Sequence, residues 1–136
     1  MGTRRKAREA AVQMLYQIDV SGEEPARAIE LYWQFLGEPS DAQELATELV
    51  RGCAAQTAAV DERIRKASRH WRLERMARVD RNILRLGTFE LVGMPDIPRR
   101  VTLNEAVELA KRFGDEHSPA FVNGLLDRIA SDVDKA

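Results

Sequence analysis

The sequence predicts an all-α protein. Three observations carry that reading: apolar residues recur at helical spacing in each long segment, helix-start and helix-stop residues punctuate those segments, and no stretch alternates with the period of two expected of a half-buried strand. With 136 residues, 44% of them hydrophobic and 32% charged, the chain suits one folded domain with a real core. No apolar run approaches the roughly 20 residues that span a bilayer. Behind the basic start MGTRRKAREAA, Glu9, Gln13, Gln17 and Asp19 interrupt what would be the apolar part of a secretory leader. These features read as a cytoplasmic protein with no membrane segment.

The first helix is expected over residues 3–20, where Ala7, Ala11, Met14, Leu15 and Ile18 share one apolar stripe. Glu24 and Pro25 open a second helix, whose Ile29, Tyr32, Trp33 and Leu36 follow i, i+3, i+4, i+7 spacing before Gly37 and Pro39 close it. Asp41 and Glu44 form a capping box for a long third helix, with Leu45, Leu49, Cys53, Val60 and Ile64 facing inward. The pattern breaks at residues 68–73. Trp71 and Leu73 therefore belong to a short connecting turn, which marks a seam between helical subdomains of roughly residues 1–68 and 75–136.

A further helix over residues 75–92 turns Val79, Ile83, Leu86 and Leu91 inward, and Gly87 permits close approach of a neighbour. Glu90 falls within that apolar arc, so its carboxylate must be hydrogen-bonded or paired. Acceptance of backbone N–H groups at the start of the next helix is preferred to a catalytic role. Pro95 and Pro98 mark a loop, and Thr102 with Glu105 reads as a capping box for a helix through Leu103, Val107, Ala110 and Phe113 to Gly114. Ser118 as N-cap and Pro119 as first helical residue open the last helix, with Val122, Leu125, Leu126, Ile129 and Val133 on one stripe.

The formal net charge of −1 conceals a sorted distribution. Residues 1–18 hold Arg4, Arg5, Lys6 and Arg8 against Glu9 alone, residues 63–85 hold nine Lys or Arg against Glu74 and Asp80, and residues 19–48 between them carry eight acids and one Arg. Two basic segments flanking an acidic one describe either a localised anion-binding face or a set of solvated helix faces. Arg4, Arg5 and Arg8 project over a sector of the first helix that continues through Val12 to Tyr16. Cations there oppose the helix dipole. They serve either as a phosphate clamp leading to a contact surface or as a soluble, frayed end.

Catalytic chemistry finds little room. Cys53 is the only cysteine and reads as a small core residue, while His70 and His117 lack the spacing to acids or thiols that a metal or nucleophile site needs. The glycines form no phosphate-cradling loop. No metal, cofactor or enzymatic activity is expected.

The last helix carries the sharpest candidate. Phe121 lies off the apolar stripe, in a strip with Gly124 and Arg128, so an aromatic face, a residue without a side chain and a guanidinium are neighbours. Such a shelf either stacks a flat group such as a nucleobase or is tucked against a neighbouring helix.

Four collinear segments, RRKAREAAVQMLYQID, VDRNILRLGTFEL, LNEAVELAKRFG and FVNGLLD, cover nearly the whole chain. In their order and spacing they resemble the bacterial transcription antitermination factor family NusB. That resemblance implies an all-α fold of about seven helices in two bundles packed crosswise, without catalysis. It further implies binding of the boxA element of nascent ribosomal RNA jointly with NusE, the small-subunit ribosomal protein that doubles as a transcription factor, and entry into the elongating RNA polymerase complex. Residue by residue, the family's arginine-rich start falls on Arg4, Arg5, Lys6 and Arg8, its RNA-contacting aromatic on Phe121, and its partner-facing positions on Tyr16 and Asp80; Arg128 joins the RNA set through the shelf. The segment DEHSPA is less typical, with His117 where a polar or acidic residue is expected. Two other readings stand beside this one. One is a NusB-like RNA-binding module related to ribosomal RNA methyltransferases; the other is a structural homodimer in which a second copy covers the Arg-rich helix and Phe121.

Overall fold

A computed structural model describes residues 2–38 and 40–135. Among these it contains seven α-helices and no strand: α1 Thr3–Ser21, α2 Pro25–Phe35, α3 Ala42–Ala55, α4 Thr57–Ala67, α5 Arg78–Gly93, α6 Arg99–Phe113 and α7 Ser118–Asp132, with a 3₁₀ turn at Leu73–Arg75. They gather into two compact units, Met1–Ala55 and Gln56–Ala136. The division falls inside the segment expected to be one long helix, earlier than the anticipated seam at residues 68–75. At Gln56 the backbone leaves helical geometry (φ −117°, ψ 20°) and separates α3 from α4. The apolar pattern hides this break because Cys53 and Val60 are seven residues apart, the spacing that one face of a continuous helix would show across two turns.

In the first unit, α1 packs on α2 and α3. Ala7, Ala11, Met14 and Leu15 are buried as their stripe requires, and Gly22 ends α1 in the left-handed conformation (φ 72°), its N–H donating to the Ile18 carbonyl at 2.8 Å. Pro25 opens α2, where Ala28 and Ile29 are buried and the Tyr32 and Trp33 rings meet edge to face with centroids 4.9 Å apart. Leu36 departs from its expected inward position and is 74% exposed, because α2 has already ended at Phe35. Pro39, expected to help close α2, lies outside the described residues. The start of α3 is held by Ser40, whose Oγ accepts the Ala42 N–H at 3.2 Å, rather than by Asp41. Ala42, Ala46, Leu49, Val50 and Cys53 form the buried face, and Leu45 is half-buried.

In the second unit, α5 packs against α4, α6 and α7 and is buried on most of its circumference. Burial of polar groups there is favourable where partners exist. Asp61 on α4 and Arg85 on α5 form a largely buried bidentate pair with N–O distances of 2.8 and 3.0 Å. Gly87 allows the approach of α7: a Cβ added there would lie 2.7 Å from the Leu126 side chain. Glu90 is buried and accepts a hydrogen bond from the Thr102 hydroxyl at 3.3 Å, a side chain in the first turns of α6. Thr102 is therefore not the capping residue expected. Helix α6 starts three residues earlier, behind Pro98, and its buried face runs through Thr102, Leu103, Ala106, Leu109 and Ala110, with Val107 and Phe113 only half-buried. The stripe of α7 is buried at Val122, Leu125, Leu126 and Ile129.

Candidate nucleic-acid interface

The geometry that presents Phe121 begins before α7. Asp115 Oδ1 accepts the N–H groups of His117 at 2.8 Å and Ser118 at 3.1 Å, while Ser118 Oγ accepts the Asp115 N–H at 3.0 Å. These bonds close a reciprocal turn just ahead of α7, and Ser118, expected to cap, is instead the buried first residue of the helix. The bond from the His117 N–H, followed by those from Ser118, holds the Asp115 carboxyl below the usual aspartate range. The rotation of α7 is set by its packing on α4, α5 and α6. Val122 and Leu125 then face the core while Phe121 stays half-buried on the flank.

The rest of that flank is open. Gly124 is exposed, and a Cβ placed on it would meet no heavy atom within 4 Å. Arg128 is exposed, and its Nη1 donates to the Ala67 carbonyl at 3.3 Å, at the last residue of α4. Its guanidinium thus satisfies a helix-terminal carbonyl besides contributing positive charge next to the shelf.

The basic start of α1 divides in two. Arg4, Arg5 and Lys6 are exposed in a first turn that contains no acidic residue. Arg8 is only 5% exposed, and Val12, one turn on, is buried as well. The sector expected to project as one basic surface is therefore interrupted, buried at Arg8 and Val12 and exposed again at Tyr16, because the buried side of α1 is wider there than the apolar stripe suggests. Arg8 is corrected from a surface phosphate contact to a buried guanidinium held by interactions inside the protein.

Tyr16 is 38% exposed on α1, in the first unit. Asp80 lies in the first turn of α5, in the second unit, where a carboxylate complements the helix dipole. It is half-buried, and its Oδ1 is shielded from solvent without a hydrogen-bond partner among the described residues. His70 and His117 are exposed, Cys53 is buried, and no group of three metal-ligating side chains occurs among the described residues. No described helix is long and apolar enough to cross a membrane.

Exposed cations at the start of α1, in the first unit, and a half-buried phenylalanine beside open space on α7, in the second, are side chains of the kinds that contact phosphates and stack flat groups. The NusB family profile matches residues 5–131, and the chain belongs to that family. The transcription antitermination protein NusB of Sorangium cellulosum (strain So ce56) is 54% identical over 133 residues, spanning 98% of this chain and 95% of its own. The corresponding protein of Myxococcus xanthus (strain DK1622) is 50% identical over 139 residues, spanning 99% of each. Among solved structures, T. maritima NusB matches with a TM-score of 0.84 at 39% identity, covering 95% of this chain and 91% of that one. A crystal structure of the antitermination factors NusB and NusE in complex with dsRNA matches with a TM-score of 0.86 at 32% identity, covering 97% of this chain and 98% of its counterpart.

Proposed function

We propose that this protein is a non-catalytic, cytoplasmic RNA-binding transcription antitermination factor. It takes the boxA element of nascent ribosomal RNA together with NusE and joins the elongating RNA polymerase complex. The observation that carries the reading is Phe121, half-buried on the flank of α7 beside the open position Gly124, in a chain of the NusB family. Phe121 stacks a base, Arg128 supplies charge beside it, and Arg4, Arg5 and Lys6 neutralise phosphates. Tyr16, exposed on α1, and Asp80, in the first turn of α5, face NusE.

A titration of boxA RNA against the protein, with and without NusE, tests this reading. Sequence-selective binding that NusE strengthens is expected. Equal affinity for boxA and a scrambled RNA, unchanged by NusE, would overturn it. Size-exclusion chromatography of the same samples separates the homodimer alternative, in which RNA and a second copy compete for Arg4, Arg5, Lys6 and Phe121.

A further inference from the structure

Trp71 is 60% exposed in the connection between α4 and α5, an arrangement that contributes little to the core. The backbone around it is nevertheless held on both sides. Ser68 Oγ donates to the Trp71 carbonyl at 2.5 Å, and Leu73 is buried with its carbonyl accepting a bond from the buried Arg81 at 3.2 Å. An indole kept in solvent by a fixed backbone is a preorganised contact surface. Beside it lies a depression of about 330 Å³ lined by Arg65, Arg69, His70, Trp71, Arg72 and Glu74 among others. Residues 63–75 carry six Lys or Arg against the single acid Glu74. That acid engages Arg65 at 3.1 Å, while Arg69 and Arg72 are exposed. The loop also adjoins the shelf on α7, since Arg128 bonds to Ala67 immediately before it.

We propose that this loop is a second base-stacking point for single-stranded RNA, with Trp71 as the stacking face and Arg69 and Arg72 as phosphate contacts, so that a strand lying on Phe121 continues past Arg128 onto it. The inference rests on the RNA-binding reading above and lengthens its path. An aromatic face among arginines suits successive nucleotides, which offer a π-face and a phosphate each.

The test uses the full chain and fluorescence anisotropy with two RNAs: boxA alone, and boxA extended by a few unpaired nucleotides at either end. Trp71→Ala should lower affinity for one extended RNA roughly 5- to 150-fold, the range for a lost base stack, and leave the short RNA within about threefold. Trp71→Phe should retain most of the affinity for the extended RNA, and Arg69→Glu with Arg72→Glu should lower it without touching the exposed indole. Phe121→Ala should weaken both RNAs. Wild-type affinity of Trp71→Ala for every extended RNA, alongside a weakened Phe121→Ala, would overturn this inference and leave the RNA reading intact. No binding of either RNA by the wild type would overturn both. An effect of Trp71→Ala confined to NusE binding would assign the loop to a protein partner and overturn the proposal.

Discussion

Replacing Phe121 with alanine separates a ligand-stacking role from a core role, because the two load different measurements. A fully buried Phe→Ala substitution costs about 3–5 kcal/mol. Phe121 is half-buried, with open space at Gly124, so roughly half of that applies. Alanine's better helix propensity returns about 0.5 kcal/mol. The net cost is about 1–2 kcal/mol, equivalent to a fall of about 3–7 °C in Tm for a chain of this length. Loss of one base stack costs about 1–3 kcal/mol of RNA affinity, which is roughly a 5- to 150-fold rise in Kd. Circular-dichroism melts and RNA titrations of the same preparation measure both. A Tm drop of about 10 °C or more, with RNA affinity preserved in the folded fraction, would show that Phe121 belongs to the core and refute the shelf.

Replacing Arg4, Arg5 and Lys6 with alanine should weaken all RNAs alike and flatten the dependence of log affinity on log salt by about 0.7 for each phosphate no longer neutralised, about 2 for all three; an unchanged slope counts against a phosphate-binding role. Arg8→Ala, at a buried position, should instead lower Tm and leave the slope unaltered. Tyr16→Ala and Asp80→Arg should reduce the gain in RNA affinity conferred by NusE while sparing binding by the protein alone, and parallel loss of both would exclude a partner-facing role. Asp115 has its carboxyl pKa lowered on folding, so its stabilising effect is complete above the unfolded pKa and disappears as pH falls through the folded one. Asp115→Ala should therefore lower Tm at pH 7, and the gap from the wild type should narrow below about pH 4; a gap independent of pH would show that the ionised carboxylate is not what holds the turn ahead of α7.

The helices were legible in the sequence because their signals are local. Apolar spacing located the buried stripes of α1 and α7, Pro25 marked the start of α2, and the same periodicity set Phe121 apart from Val122 and Leu125, in agreement with its half-buried position. Exposure of Trp71 had one local signal, an aromatic residue in a stretch where helical periodicity fails, but nothing local distinguishes a turn that buries its indole from one that presents it.

What the sequence by itself determined is helical class, the main core faces and the family, since each follows from residue types at fixed spacings along the chain. What only the tertiary structure decided depends on neighbours distant in sequence. The burial of Arg8 is set by how widely α1 is covered, the partner of Glu90 by the approach of Thr102 on α6, and the direction of Arg128 by the carbonyl of Ala67 at the end of another helix. The break at Gln56 is of the same kind. Two helices in register by seven residues have the same one-dimensional pattern as a single helix, and only the packing of each against its own unit distinguishes them.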